Sequence, residues 1–319
     1  MKAILITGGA GFIGSNLTRK ILEKGDSQVV CLDNLDPFYP KITKRKNIEP
    51  FLKNQNYQFI EGDILKQDDL DIVPNVDAII HLAAKTGVRP SLGDAVKYHE
   101  VNSIGTQMLL EFARHRSIQK FIFASSSSVY GMNDQLPWSE RSSLFPISPY
   151  ASSKAAAEIM GYVYSSLYNI RFLSLRLFTV YGPGQRPDLA IRNFFDAILS
   201  EVPVSVFGDG SSKRDYTYID DVLDAIESAL HFSSSMYEIF NIGGQNPISL
   251  NQLIEEIELI CNRKAVVNRF PSQTGDVPYT FADITKAKAM INYNPSHTIQ
   301  QGLAKHFDWV KSAKKPELI

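Results

Sequence analysis

Tyr150 and Lys154 stand four residues apart, the spacing that puts two side chains one turn apart on the same face of a helix. A phenol beside an ammonium can carry general acid/base chemistry, because a nearby positive charge favours phenolate over phenol. An exposed helix face could show the same spacing, so the pair draws its weight from its neighbours in the chain. Upstream, the apolar run Phe121 to Ala124 opens into Ser125, Ser126, Ser127 and Ser128, then Val129-Tyr130-Gly131. This puts a row of hydroxyls at the carboxyl end of a strand, where open α/β sheets bind ligands.

A second group of residues points to a bound dinucleotide. Gly8-Gly9-Ala10-Gly11-Phe12-Ile13-Gly14 follows an apolar strand and opens a helix-period segment. Backbone N–H groups and the helix dipole there can face a pyrophosphate. Gly8, Gly11 and Gly14 are spaced GxxGxxG rather than GxGxxG, and Phe12 and Ile13 share the turn. Asp33 closes the next strand about 20 residues beyond the loop, where a carboxylate accepts ribose hydroxyls and repels a 2′-phosphate. The cofactor expected is therefore NAD, with Asn34 beside Asp33 assigned to the same site. Asp63 and Ile64 follow a third strand and can meet the adenine edge, while Leu82, Ala83 and Ala84 offer small side chains along a flat cofactor. Lys154 and a nicotinamide cation are together expected to lower the Tyr150 pKa.

The elements that must position these residues are readable from periodicity. Ala3 to Thr7, Val29 to Leu32, Ala78 to Leu82, Phe121 to Ala124 and Phe172 to Leu177 are short apolar runs that suit buried parallel strands. Ile13, Leu17 and Ile21, and again Met108, Leu109 and Phe112, recur at helical spacing between them. The pattern predicts an α/β fold, a Rossmann-like doubly wound parallel sheet with a smaller α/β C-terminal substrate domain. The dinucleotide domain is expected over residues 1–182 and the substrate domain over 183–319, with the chain returning to the main sheet around 215–245. Helices are expected at Asn102 to His115, Ala151 to Tyr168, Ile191 to Ser200, Ile219 to His231, Leu250 to Cys261 and Ile299 to Lys311. Short strands are expected at Val204 to Phe207, Glu238 to Ile242 and Ala265 to Arg269.

With 319 residues, 44% of them hydrophobic, the chain can bury a large core. A formal net charge of -1 gives no global field to recruit nucleic acid or an anionic membrane. Cys31 and Cys261 form no CxxC pair, so neither a disulfide framework nor a cysteine metal site is expected. His81 sits in a predicted buried strand without a second ligand, and no metal is expected. The early glycines leave no room for a signal peptide, and no apolar run is long enough to span a bilayer, so the expectation is a cytoplasmic protein without a membrane partner.

GGAGFIG, LAA, SSSSVYG, YASSK and FTVYGP, in this order, resemble the extended short-chain dehydrogenases/reductases, specifically the NAD-dependent sugar-nucleotide epimerase/dehydratase group. The resemblance spans nearly the whole chain. It implies that Ser126 hydrogen-bonds the reacting sugar oxygen, that Tyr150 is the acid/base and that Lys154 anchors the cofactor. Asn102 matches an asparagine in the helix beside the cofactor, and Tyr181 of FTVYGP is assigned to the cofactor side. Arg214 and Asp276 resemble the diphosphate and ribose contacts of a UDP-sugar, and Arg89 and Arg186 are assigned to the same substrate. A homodimer is implied through the helices at Asn102 to His115 and Ala151 to Tyr168.

The reaction implied is transient oxidation at C4: Tyr150 takes the hydroxyl proton, hydride moves to the nicotinamide, the keto sugar turns, and hydride returns to the other face. Related dehydratases carry Asp-Glu just before Val-Tyr-Gly, and related decarboxylases a glutamate at the Ser128 position. Serines there remove the group dehydration needs. Thr179 resembles the uronate epimerases, where hexose epimerases usually have asparagine. Ser127, Ser128 and Thr179 could hold a sugar carboxylate by charge-assisted hydrogen bonds, out of the alignment that expels carbon dioxide. The expected activity is thus interconversion of UDP-glucuronate and UDP-galacturonate. A UDP-hexose or UDP-N-acetylhexosamine 4-epimerase is the second reading, and a non-catalytic NAD-sensing protein the reading of another class.

Overall fold

The computed structural model describes residues 2–314. In chain order the first strands are β1 (Lys2–Thr7), β2 (Ser27–Asp33), β3 (Tyr57–Glu61), β4 (Ala78–His81), β5 (Lys120–Ser126) and β6 (Arg171–Leu177). After them come β7 (Thr179–Tyr181), β8 (Val204–Phe207), β9 (Lys213–Tyr218), β10 (Tyr237–Ile242), β11 (Pro247–Ser249) and β12 (Val267–Phe270). Seven of these form one sheet in the order β10-β6-β5-β4-β1-β2-β3, every neighbouring pair parallel. Alternation along β1 divides the core: Ile4 and Ile6 enter one apolar layer and Leu5 the other. Both faces are covered, which is why these strands read as unbroken apolar runs.

Strand order reverses between β1 and β4, so the cleft for a ligand lies beyond their carboxyl ends. The chain does come back to this sheet, adding β10 beside β6 after the helix Ile219–His231. Outside it, β7 pairs with β9 in parallel and β9 with β11 antiparallel, while β8 pairs with β12. β7 had no separate sequence signal, because only Phe178 divides it from β6. That one residue moves the chain from the large sheet to the small one, and with it Thr179.

The helix Pro149–Tyr168 carries Tyr150 and Lys154. Ser148 caps it, its hydroxyl accepting from Ala151 N at 3.1 Å, and Pro149 enters at the first turn. Gly161 lets the helix lie against the sheet: a Cβ there would stand 2.3 Å from the Phe172 ring. The expected helix from Asn102 instead begins with a π-turn, Glu100–Ile104, before the α-helix Gly105–His115. Such widened turns cluster at functional sites.

Candidate active site

A single cleft of about 1160 Å³ runs from the glycine loop, past Ser126 and Tyr150, to Arg214. At one end Gly8 adopts φ +71, and a Cβ there would come within 2.7 Å of Ala83 N. A Cβ on Gly14 would stand 2.5 Å from the Gly8 carbonyl, so the helix Phe12–Lys24 sits directly on its loop. That helix has neither a side-chain cap nor an acidic residue in its first turn. Its free N–H groups face the cleft floor and suit an anionic ligand. The Ser125 hydroxyl lines the same cleft and has no hydrogen-bond partner among the described residues. An open helix end, a glycine cradle and an orphaned hydroxyl fit a dinucleotide.

Gly11, Phe12, Ile13, Asp33, Asn34, Asp63 and Ile64 all line this half, with Leu82, Ala83 and Ala84 at the end of β4. Asn34 Nδ2 donates to Asp63 Oδ2 at 3.0 Å, linking two of the expected contacts. Tyr39 and Lys44 also line it, and neither was singled out in the sequence. Lys44 lies in a helix that carries Lys41, Arg45 and Lys46 as well, which reads as a solvated basic face.

Tyr181 does not reach the cleft, which corrects its assignment to the cofactor. Its ring is buried among Tyr216 and Tyr218, and its hydroxyl points to the Thr298 and Ile299 carbonyls at 3.5 and 3.4 Å. Thr179, at the start of β7, lines the cleft, whereas Tyr181 at its far end packs against the helix Ile299–Lys314.

Ser126, Tyr150 and Lys154 converge at the middle of the cleft. Ser126 Oγ accepts from Ser128 N and donates to Ser128 Oγ, both at 3.1 Å. Burial pushes the Tyr150 phenol up, while the neighbouring Ser126 hydroxyl and the Arg186 guanidinium pull it back. Lys154 follows one turn further along the same helix. Its Nζ donates to the Ala124 carbonyl at 2.7 Å, sits 4.7 Å over the Phe123 ring, and is itself lowered by burial to about 7.

Asn102 is buried in the π-turn and does not line the cleft. It accepts from Lys85 N at 2.8 Å and donates to the Lys85 carbonyl and Ser153 Oγ, each at 2.9 Å. Beneath it His81 joins Thr7 at 2.7 Å and Thr106 at 3.0 Å, and Thr106 donates to the Asn102 carbonyl at 2.5 Å. Burial drives the His81 pKa down, so it is a neutral core histidine. Among the described residues no group of His, Cys, Asp and Glu could hold a metal ion.

On the far side the cleft is lined by Arg89, Thr179, Arg186, Arg214 and Asp276. Arg89 pairs with Asp276 at 2.8 Å and lies 4.9 Å over the Phe207 ring. Arg214 is lowered by burial, with Arg89 adding to the effect. A partly buried guanidinium, Arg214, near the half-exposed one of Arg89 suits a diphosphate. Arg186 forks onto Asp188 at 2.9 and 2.8 Å and bonds the Thr86 hydroxyl across the cleft. Ser127 and Ser128, expected at the sugar, do not line the cleft: both lie in the 3₁₀ turn Ser127–Tyr130, with Ser128 folded back on Ser126.

Compared with known proteins, residues 4–243 match the family model described as "NAD dependent epimerase/dehydratase family". The chain is 42% identical to an uncharacterised protein of Methanocaldococcus jannaschii, over 97% of this chain and 96% of that one. It is 38% identical to the UDP-glucuronate 4-epimerase of Thermodesulfobacterium geofontis, over 96% and 95%. The structure is similar to that of UDP-glucuronic acid 4-epimerase from Bacillus cereus in complex with UDP-glucuronic acid and NAD. The TM-score is 0.93 and the identity 38%, over 98% of this chain and 99% of that one.

Proposed function

The chain belongs to the NAD-dependent epimerase/dehydratase family, and on that premise we propose that it is a UDP-glucuronate 4-epimerase, forming UDP-galacturonate. One observation carries the reading beyond the family: Thr179 and Arg186 line the cleft together with Ser126 and Tyr150, and the turn after β5 holds Ser127 and Ser128 and no carboxylate. A site for a sugar acid needs that balance, since another carboxylate beside the substrate's own would repel it. Thr179 lines the same stretch and can donate to the sugar carboxylate, and Ser127 and Ser128 sit in the turn directly after Ser126.

Bound NAD supplies the hydride acceptor and donor, chemistry the side chains lack. Tyr150 accepts the proton of the C4 hydroxyl and later returns it. Ser126 bonds the same oxygen and holds the phenol in register. Lys154 and Asn102 fix the floor beneath them. Arg214, Arg89 and Asp276 grip the nucleotide end, so the sugar alone is left to turn.

The division of labour we propose gives residues 1–182 and the returning β10 to the cofactor, and the rest of 183–319 to the UDP-sugar. A homodimer is supported by exposed apolar residues on the two helical segments beside the sheet. Ile104 is 50% exposed, and Ile159 and Leu167 are each 65% exposed, more apolar surface than isolated helix faces need to leave in water. No helix of the described residues is long and apolar enough to cross a membrane, and with the free cysteines this supports a cytoplasmic enzyme.

Proton NMR of the purified protein with UDP-glucuronate, alongside absorbance in the NADH band, tests the function. UDP-galacturonate without net NADH is the expected result. Turnover of UDP-glucose or UDP-N-acetylglucosamine with UDP-glucuronate untouched would move the assignment to a hexose epimerase, and no reaction with any of them would favour a sensor.

A further inference from the structure

We propose that Asp215 is a positioning residue for the nucleotide end of the substrate: its carboxylate ties together the two backbone segments that flank Arg214, and so sets Arg214 against Asp276. The inference rests on the cleft holding a UDP-sugar.

Side chains alternate along β9. Arg214 and Tyr216 line the cleft, whereas Asp215 between them is fully buried on the other side of the strand. One neighbour of this stretch is β11, with Ile248 opposite Arg214. The other is the segment that follows Asp276: Lys213 N donates to the Pro278 carbonyl at 3.0 Å, and Thr280 N donates to the Lys213 carbonyl at 3.1 Å. The Asp215 carboxylate reaches both. Its Oδ1 accepts from Gly244 N at 2.9 Å, in the loop that leads into β11, and its Oδ2 accepts from Ala282 N at 3.1 Å. Asp215 N donates to Thr280 Oγ1 at 3.0 Å, a second tie to the same segment.

The loop before β11 is shaped around this anion. A Cβ on Gly243 would stand 2.7 Å from Asp215 Oδ2, so only glycine leaves the carboxylate its place. Gln245 holds φ +66, a left-handed turn in the same loop. Burial pushes the Asp215 carboxyl up to about 6, and the N–H groups of Ala282, Gly244, Gln245 and Asn246 pull it back. Successive N–H groups turned toward one point make an anion-binding nest, here filled by the chain's own side chain.

Two accepting oxygens are needed because two segments are held. A carboxamide of the same shape has one, and would leave either Gly244 N or Ala282 N facing an NH₂ group. The segment released carries β11 or runs back to Asp276, and each stands beside Arg214. The Asp276 charge acts on Arg214 and pairs with Arg89, so the grip loosens where the diphosphate is expected. None of these ties touches the glycine loop or Tyr150.

Calorimetric titration of the full-length protein with UDP, and separately with NAD, tests this. Asp215→Asn is expected to weaken UDP by about tenfold and NAD by less than about twofold. In turnover, KM for UDP-glucuronate should rise with the loss of UDP affinity while kcat at saturation changes little. Because the effect runs through Arg214, adding Asp215→Asn to Arg214→Ala should weaken UDP by less than the same change does in the native protein. If Asp215→Asn does not fold, Thr280→Val, which removes one tie and spares the carboxylate, should weaken UDP by roughly threefold with NAD unchanged. Folded variants that bind UDP as the native protein does, equal loss of UDP and NAD, or full additivity with Arg214→Ala overturns the proposal. Native protein that binds NAD and not UDP overturns the substrate reading on which the proposal stands.

Discussion

Asn102 donates to Ser153 Oγ at 2.9 Å, tying the π-turn to the first turns of the helix that bears Tyr150 and Lys154. The same carboxamide holds both main-chain polar groups of Lys85, so one side chain fixes the spacing between the β4 loop and the acid/base. Asn102→Ala leaves those buried groups unpaired, at a cost of about 1–3 kcal/mol. Because the disturbed parts flank the reacting atoms, kcat should fall with KM little changed. Urea unfolding and steady-state kinetics on the same preparation check this, and a loss of stability with kcat intact would reduce Asn102 to a packing residue.

Tyr150→Phe should lower kcat by roughly 10²–10⁴-fold while leaving NAD and UDP-sugar binding in place. Ser126→Ala tests the subtler point. The Ser126 hydroxyl is the largest of the influences that lower the Tyr150 pKa against burial. Its removal should move the limb of kcat/KM that requires phenolate to higher pH. A pH profile displaced the other way, or unmoved, would mean that the bond does not persist with substrate present.

Thr179 faces the cleft because β7 leaves the large sheet after Phe178 and pairs with β9, Thr179 opposite Tyr216. If it helps to hold the sugar carboxylate out of alignment with the C4 carbonyl, Thr179→Ala should raise the proportion of decarboxylated product relative to epimer. Product ratios by NMR decide it, and an unchanged ratio would withdraw the role from this residue.

What the sequence made legible follows from how each signal is carried. The glycine loop, Asp33 and the Tyr150/Lys154 pair are local patterns, and each lands in the cleft where its motif implied. Lys44 was invisible because its place in the cleft depends on packing against Tyr39 and Asp33, while its own helix is simply basic. Tyr181 failed for the opposite reason. A motif was in view, but the ring packs against Tyr216, Tyr218 and the last helix, contacts that no local pattern shows. Periodicity also could not tell the π-turn at Asn102 from ordinary helix, since both keep apolar residues on one face. The depth of Lys154 needed three dimensions as well, for the spacing says nothing of how far the ammonium is buried.

Glu158 and Arg176 form an ion pair at 2.7 Å, each side chain only 3% exposed, and Arg176 also donates to the Tyr130 hydroxyl at 2.9 Å. Glu158 follows Lys154 by one turn and pulls its pKa upward. Arg176→Met should destabilise by about 3–5 kcal/mol because a buried carboxylate is left alone. Replacing both partners with apolar residues should cost much less. Chemical denaturation of the two singles and the double checks the ordering, and a double variant as unstable as Arg176→Met would mean that packing, not the stranded charge, dominates.

His306 gives the cleanest pH dependence. It is fully buried, its ring 5.4 Å from Phe195 and 5.6 Å from Trp309, and neither ring nitrogen has a hydrogen-bond partner among the described residues. Burial lowers its pKa to about 3, with the Arg192 charge acting the same way. An unfolded histidine titrates near 6.5, so between about 6.5 and 3 the unfolded chain binds a proton that the folded one refuses. This group's contribution is level above that window and turns against the fold as pH drops through it, by at most about 1.4 kcal/mol per pH unit. His306→Leu removes the proton site while keeping an apolar side chain, so its stability relative to the native protein should stay level from pH 7.5 to about 6.5 and rise from there down to pH 4.5. Urea midpoints measured across that range give the slope. A difference that stays constant with pH would mean that His306 is protonated inside the fold, with the charge met by a partner.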